Sequence, residues 1–431
     1  MEGHMPQDEK ADDDLISSVD REIQRIPPNH SEACIFKVHA LLREVNPKAY
    51  EPTILAIGPY HHGKDNLSEM QAHKLRYLQL LLRRRHESSA ERYITAMRSL
   101  EEKARKCYAN SINHLESDDF VKMMLLDGCF IIELFRKWRF KDLRDNDDPI
   151  FKTDWMPCSL RRDLMLFENQ LPLFILVELD NMTSDDLDRT DNIILTALIC
   201  LVPIIPGSID FEGFHMFPAD HLLGLMHNFW CSSFAEMVSD RNVVNQEEGI
   251  FEFMKSITEL QEAGIQFKKS KENTWLFNIR FENGVMEIPP LTITDNTECA
   301  FRNLVAYEQY RQGIYPRCFS DYVRFIDWIV NSAKDAEKLG HYGIINNWLG
   351  DHEAIATMLN KLSDNIYIDS DSFCYLEVFN NVNKHCRRRR NIWLANLRRN
   401  YFNTPWAIIS FLAALVLLLL TFIQTIFSII S

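Results

Sequence analysis

The sequence predicts a mainly α-helical protein of the α+β class, with a large globular body, one small antiparallel sheet and a C-terminal transmembrane helix. Apolar residues recur every three or four positions over most of the chain, as on the buried face of a helix. Only residues 264–292 alternate apolar and polar residues, and the Asn283-Gly284 pair between two such runs is typical of a β-hairpin. The last 25 residues or so are apolar throughout.

Composition and charge divide the 431-residue chain into four parts. Residues 1–30 form an acidic leader, predicted to be disordered, that lacks the apolar stretch of a signal peptide. Residues 31–383 form the globular body, residues 384–404 a basic juxtamembrane helix, and residues 405–431 the membrane anchor. No Pro-, Gly- or Ser-rich linker divides the body, so one large helical domain is expected.

The charge is unevenly distributed along the chain. The formal net charge is −14, yet residues 1–383 carry 40 basic against 61 acidic residues, a net charge of −21. All seven remaining lysines and arginines lie between Lys384 and Arg399, without an acidic residue. An acidic body argues against nucleic acid as a partner. We name six of the arginines the basic collar: Arg387, Arg388, Arg389, Arg390, Arg398 and Arg399.

Helical periodicity defines the elements in order. Helices are predicted over 66–86, 89–113, 117–140, 159–180, 183–202, 219–230, 248–263, 295–312, 319–338, 350–362 and 371–403. Ser117 or Asp118 is expected to cap the third, and Pro172 to kink or end the fourth. The apolar run Ile193–Pro206 contains two prolines and is too short to cross a bilayer, which favours a buried core helix over a re-entrant segment.

The C-terminal run from Trp406 to Ile430 predicts a membrane anchor. It contains no charged residue and would extend about 37 Å as a helix, enough for a hydrocarbon core of about 30 Å. A buried C-terminal helix is the alternative, but such a helix normally has a polar face. The predicted lipid-facing residues are Trp406, Phe411, Leu415, Leu420 and Phe427.

The basic collar predicts the orientation of this anchor. Positive charge accumulates on the cytosolic side of membrane proteins, which predicts a single-pass, tail-anchored protein with its body in the cytosol. The plasma membrane is the membrane that we expect. The collar should also attract anionic lipid, by about 1 kcal/mol per residue.

Ten cysteines are scattered at irregular spacing, without a C-x-x-C pair, and several lie inside apolar runs. This pattern favours buried free thiols in a reducing compartment. A secreted disulfide framework is the alternative.

A phosphate-loop-like motif follows a short apolar run, with Gly58, Gly63 and Lys64 at the positions of G-x-x-x-x-G-K. Asp65 stands where a hydroxyl would ligate magnesium, and Pro59 removes a backbone donor. The pattern therefore favours a structured turn over a nucleotide site.

Two acidic residues lie in apolar surroundings and are the catalytic candidates: Asp127 and Glu168. Buried carboxylates need partners or shifted pKa values, so they belong either to an active site or to a structural polar network. The structural alternative is favoured, with Asn169 and Gln170 satisfying backbone groups near Pro172. No residue pattern predicts a metal site or a cofactor.

Several ordered segments resemble the plant family called domain of unknown function 247. They are residues 57–63 (IGPYHHG), 123–135 (MMLLDGCFIIELF), 163–174 (DLMLFENQLPLF), 259–270 (ELQEAGIQFKKS), 288–309 (IPPLTITDNTECAFRNLVAYEQ) and the terminal span. The resemblance covers about residues 20–430. It implies a membrane protein with one C-terminal span and brings no catalytic residues. Some grass members resemble determinants of self-incompatibility, which implies recognition rather than turnover.

These expectations favour a membrane-anchored recognition or signalling module that binds lipid through its anchor and an unidentified protein through its body. The alternative is a membrane-bound hydrolase or transferase that uses Asp127 and Glu168. A nucleotide-regulated protein acting through Lys64 is a third hypothesis. The oligomeric state stays open.

Overall fold

The computed structural model describes residues 15–21, 23, 32–183, 192–205, 218–241, 254–271, 275–311, 317–368, 373–388 and 405–430. Most of the predicted leader falls outside these ranges, as do residues 389–404 of the predicted juxtamembrane helix. Residues 15–21 of the leader are helical rather than disordered, and the helix predicted over 371–403 ends at Arg387. The mainly α-helical class is confirmed. One continuous hydrophobic core extends from Ile35 to Val382.

The regular secondary structure described in the first half of the body is helical, apart from one isolated β-bridge between Ile35 and Tyr108. Its helices are α1 (Ala40–Val45), α2 (Glu69–Arg84), α3 (Glu91–Lys106), α4 (Ser117–Arg139), α5 (Pro149–Lys152), α6 (Trp155–Leu164), α7 (Leu173–Thr183) and α8 (Ile193–Leu201).

Helix α4 is the centre of this half. Every residue from Met123 to Lys137 is buried, and the helix packs against α2, α3, α7 and α8. A helix that is apolar on all sides belongs in a core. Its N-cap is Glu116, not Ser117 or Asp118 as expected, because the Glu116 backbone is extended and its carbonyl already accepts the Phe120 N–H at 2.9 Å.

The single helix predicted over 159–180 is two helices, α6 and α7, separated by a turn at residues 165–172. The chain reverses there because Pro172 has no N–H and because Asn169 and Gln170 bind backbone carbonyls that a continuous helix would use. The apolar helix α8 is buried in the body, so the prediction of a core helix is confirmed.

The second half combines helices with two small sheets. Its elements are α9 (Leu222–Arg241), α10 (Ile257–Glu262), β1 (Gln266–Lys269), β2 (Arg280–Glu282), β3 (Val285–Ile288), β4 (Leu291–Ile293), α11 (Thr297–Tyr310), α12 (Cys318–Ile329), α13 (Ala333–His341), β5 (Ile345–Asn347), α14 (His352–Leu362) and α15 (Leu376–Arg387). The helix predicted over 319–338 is divided into α12 and α13, because Ser332 caps a new helix and accepts the Asp335 N–H.

The predicted hairpin is confirmed, since β2 and β3 pair antiparallel. Asn283 and Gly284 form its turn with φ angles of 52° and 80°. The sheet is not purely antiparallel, however, because β1 pairs with β3 in parallel. Strands β4 and β5 form a second, parallel pair. Parallel pairs join segments that lie far apart in sequence, so local alternation does not reveal them.

The last helix, α16 (Pro405–Ile430), is long and apolar enough to cross a membrane by length and composition, over its window Ile409–Ile426. No residue of that window is buried against the body. Trp406, Phe411, Leu415 and Leu420 are all exposed. Phe427 lies in this helix, but its side chain lies outside what the structure describes.

Candidate functional site: a polar junction beside an open groove

Three of the sequence motifs meet inside the first half of the body. The loop at residues 57–63 lies against Asp127 of helix α4 on one side and against the turn that carries Glu168, Asn169 and Gln170 on the other. We call this set of contacts the polar junction.

Asp127 forms a buried ion pair with Lys74 of helix α2. The Lys74 ammonium lies 2.5 Å from Asp127 Oδ1 and also donates to the Ala56 carbonyl at 2.6 Å. The second carboxylate oxygen accepts the Gly58 N–H at 2.9 Å. Asp127 and Lys74 are 1% and 0% exposed, so substrate in solution does not reach them.

Glu168 is held in the same way on the other side of the loop. Its Oε1 accepts the Val38 N–H at 2.5 Å and lies 2.5 Å from Arg43 Nη2. Its Oε2 lies 3.7 Å from His61 Nε2, which is too long for a hydrogen bond. The two catalytic candidates are therefore paired with separate cations, Lys74 and Arg43.

His61 lies between Lys64 and Glu168 in the polar junction. Lys64 donates to His61 Nδ1 at 2.9 Å and to Glu51 Oε2 at 2.7 Å. Burial, followed by the charge of Lys64, lowers the pKa of His61 to about 4, so the ring is neutral at pH 7. A neutral ring that accepts at Nδ1 carries its proton on Nε2, facing Glu168.

Two amides complete the junction. Asn169 accepts the Ile57 N–H at 2.7 Å and donates to the carbonyls of Leu55 and Asp163, both at 2.9 Å. Gln170 joins the turn to helix α9, because its Oε1 accepts the Leu223 N–H at 3.1 Å. These bonds hold the loop, the turn and helix α9 together.

The phosphate-loop-like residues are engaged in the same network. The Gly58 N–H points to Asp127, a negative charge, and Lys64 is paired with Glu51. Gly58 has a φ of 69°, and a Cβ there would lie 2.5 Å from the Gln170 carbonyl oxygen. Its glycine is explained by this close approach rather than by room for a phosphate.

The sequence did not single out two further members of the network. The first is Lys74, which shares the apolar face of α2 with Met70, Tyr77 and Leu81, and a lysine on such a face is a signal of a buried partner. The second is Asp163, which is 0% exposed and accepts the backbone N–H groups of Thr53, Ile54 and Leu55.

An open groove of about 280 Å³ lies beside the junction. Its polar lining comes from the loop, the start of α2 and the first turns of α4: His62, Lys64, Ser68, Gln71, Asp119 and Lys122. Leu67, Leu75 and Met123 contribute apolar surface. Asp127 and Glu168 do not line the groove. Gly63 does line it, and no atom lies within 4 Å of the position that a Cβ on Gly63 would take.

A second buried cluster in the other half of the body brings together His227, Cys231 and Glu308, whose donor atoms lie within 4.8 Å of one another. The i, i+4 spacing of His227 and Cys231 on one helix was the sequence signal for it. Glu308 accepts the N–H groups of Phe319 and Ser320 at 2.9 and 2.7 Å and thus caps helix α12.

The orientation of the His227 ring supports a hydrogen-bonded pair. Arg311, which can only donate, lies 3.3 Å from Nδ1, while Nε2 lies 2.7 Å from Glu308 Oε1. The proton is therefore on Nε2 and donates to Glu308, whereas a metal ligand would present a bare nitrogen there.

The comparisons with known proteins agree with the motifs. The chain is 30% identical to UPF0481 protein At3g47200 of Arabidopsis thaliana over 423 residues, which cover 92% of this chain and 86% of the relative. It is 22% identical to Putative UPF0481 protein At3g02645 of the same plant, over 94% of this chain and 92% of the relative. No solved structure matches the chain. The family model described as plant protein of unknown function, DUF247, matches residues 35–420, and the chain belongs to that family.

Proposed function

We propose that this protein is a membrane-tethered recognition module. In this proposal α16 crosses the bilayer, the basic collar lies on anionic lipid at the cytosolic face of the plasma membrane, and the body binds a protein partner through the groove beside the polar junction.

The observation that carries the proposal is the exposure of α16. Apolar side chains along the helix are exposed; Leu412 is 53%, Leu418 70% and Phe422 65% exposed. Burying apolar surface contributes about 25 cal/mol per Å², so a helix of this length is strongly stabilised by hydrocarbon. Thr421 and Thr425 return their hydroxyls to carbonyls of the same helix, at 2.8 Å each, which removes two polar groups from contact with lipid.

The groove supports recognition rather than turnover. Its volume of about 280 Å³ lies near the lower limit for small-molecule sites and suits one or two side chains of a partner. Both charge signs line it, with Asp119 and Lys122 on one helix. The carboxylates that an enzyme would need are occupied by Lys74 and Arg43, so the membrane-bound hydrolase or transferase gains no support from the geometry. Tethering raises the local concentration of the body, so that a weak contact becomes selective.

Fractionation tests the tether. The full chain should stay with membranes through an alkaline wash, whereas a chain ending at residue 404 should be released. A full chain that stays in the soluble fraction without detergent would refute the tether. In sealed microsomes, added protease should digest the body if it faces the cytosol.

Partner capture tests the groove. Lys122 is exposed in the groove, so the charge reversal Lys122→Glu should abolish capture of the partner from plant membranes. Lys268→Glu is the matched control, because Lys268 is a 65% exposed lysine on strand β1, outside the groove. Equal capture by both variants, or no specific partner for the intact protein, would contradict the proposal.

A further inference from the structure

Cys34 and Cys107 lie side by side at the edge of the body. Ile35 and Tyr108 form an isolated parallel β-bridge. The N–H groups of Cys34 and Ile35 both donate to the Cys107 carbonyl at 2.9 Å. Bridged backbones lie about 4.8 Å apart. Cys34 and Cys107 each precede a bridged residue, so we expect a similar spacing between their Cα atoms. That spacing falls inside the Cα–Cα range of roughly 4.4–6.8 Å that a disulfide requires.

The thiol of each cysteine affects the pKa of the other. The interaction between the two side chains lowers the pKa of Cys107 and raises that of Cys34, and the Cys107 S–H donates to the Lys103 carbonyl at 3.5 Å. Cys34 is partly exposed, so small molecules reach the pair, while Cys107 is 8% exposed. A thiolate stabilised by a neighbouring thiol is the reactive form in thiol–disulfide exchange.

Three other cysteines contrast with Cys107, whose pKa is lowered. Burial raises the pKa values of Cys129 and Cys200 to about 12 and that of Cys299 to about 11, which makes these thiols inert.

We propose that Cys34 and Cys107 are a redox pair that forms a reversible intramolecular disulfide by exchange with a low-molecular-weight disulfide such as oxidised glutathione. In the first step one protein thiolate attacks a glutathione sulfur, breaks the glutathione S–S bond and releases one glutathione thiolate. In the second step the other protein thiolate attacks the protein-side sulfur of the mixed disulfide and releases the second glutathione. Two protein thiols are oxidised, one glutathione disulfide is reduced to two thiols, and the two protons pass to the glutathione thiolates.

The disulfide would hold residues 35–38, which follow Cys34, against the polar junction. Residues directly after Cys34 supply the Val38 N–H to Glu168 and the Ile35 carbonyl to the Tyr60 hydroxyl. A link between positions 34 and 107 closes a loop that contains α1, α2 and α3. Because closing a loop of this length restricts the unfolded chain, the oxidised form should unfold at a higher temperature than the reduced form.

Peptide mapping of the full chain in detergent micelles tests the pair. The protein is equilibrated with reduced and oxidised glutathione, free thiols are blocked with N-ethylmaleimide, and the chain is digested with trypsin without reduction. Trypsin places the two cysteines alone on residues 26–37 and 107–122, respectively. We expect these peptides joined, two hydrogens lighter than their sum, and a melting midpoint that rises by several degrees and returns on reduction.

Cys158→Ser is the matched control, because Cys158 is an exposed cysteine outside the pair. It should keep the linked peptide and the shift in midpoint, and Cys34→Ser should lose both. The wild-type mapping decides the matter even if Cys34→Ser does not fold. The proposal fails if residues 26–37 and 107–122 remain blocked by N-ethylmaleimide, or carry only glutathione, under conditions that fully oxidise Cys158.

Discussion

Lys74 and Asp127 form an ion pair inside the core of this protein. Both are almost completely buried, and each keeps a second partner in the backbone of the same loop, the Ala56 carbonyl and the Gly58 N–H. Desolvation of two such charges offsets much of their attraction, so the pair adds little net stability compared with an apolar pair. Removing one partner is costly, however, because the other charge is left unpaired inside the core.

Asp127→Asn should therefore lower the free energy of unfolding by about 3–5 kcal/mol, measured by urea denaturation. Glu102→Gln is the control, since Glu102 makes an ion pair with Lys106 on the surface of α3, and it should leave stability unchanged. If Asp127→Asn folds with wild-type stability, Asp127 is not a structural ion-pair partner and the catalytic hypothesis for it regains support.

Gly58 and Gly63 are a matched pair in one loop, with φ angles of 69° and 77°. Gly63→Ala should cost about 1–2 kcal/mol, which is the strain of a left-handed alanine. Gly58→Ala should cost clearly more, because its Cβ would also meet the Gln170 oxygen at 2.5 Å. Equal losses in thermal denaturation would contradict the close approach of the loop to the turn.

The low pKa of His61 predicts that the folded protein loses stability in acid. Its pKa is about 4 in the folded protein and about 6.5 when unfolded, so between these values the unfolded chain binds more protons. Stability should therefore fall as the pH falls through this window, by about 1.5 kcal/mol between pH 6.5 and 5. His61→Gln should remove this share of the pH dependence, whereas His341→Gln, at an exposed position, should retain it. A wild-type-like pH profile for His61→Gln would show that its ring titrates normally.

Among the secondary-structure elements, helix α12 is capped by a carboxylate from another helix. Glu308 of α11 accepts both the Ser320 N–H and the Ser320 hydroxyl, at 2.7 and 2.6 Å, in addition to His227. Three helices, α9, α11 and α12, are joined at this one side chain.

Glu308→Gln should lower the free energy of unfolding by about 2–3 kcal/mol, because an amide nitrogen cannot accept these bonds. Glu298→Gln on the same helix should cost less, since Glu298 is 29% exposed and the amide oxygen of glutamine can still accept from Arg302. Adding zinc should leave the melting midpoint of the wild type unchanged. A rise with zinc that is lost in Glu308→Gln would instead indicate that His227, Cys231 and Glu308 bind a metal.

The sequence predicts the type of a secondary-structure element correctly where one local pattern is strong. Helices α2 and α4 begin and end within three residues of their predicted bounds, and the Asn283-Gly284 turn lies where expected. Two of the errors occur where a group that is distant in sequence determines the structure. The break between α12 and α13 depends on Asp335, whose carboxylate binds Thr258 and Ser332, and the parallel strand β1 depends on a partner beyond the hairpin turn.

At the scale of the whole molecule, we expect the body and α16 to be independent of one another in stability. The apolar window of α16 buries no residue against the body, so a chain that ends at residue 404 should unfold in detergent at the same midpoint as the full chain. Differential scanning calorimetry of the two proteins checks this. A lower midpoint for the shorter chain would mean that α16 packs on the body and is not free to cross a bilayer.

The sequence by itself determined the helical class, the hairpin turn, the core helix α8 and the apolar C-terminal helix. Each follows from a periodic or uninterrupted pattern within one stretch of chain, where the local backbone geometry decides which side chains share a face. Only the tertiary structure decided that Asp127 pairs with Lys74, 53 residues away, and that Glu308 caps a helix to which it does not belong. A buried charge must find a partner, but its own neighbours in sequence do not specify which of many cations the fold brings within 3 Å.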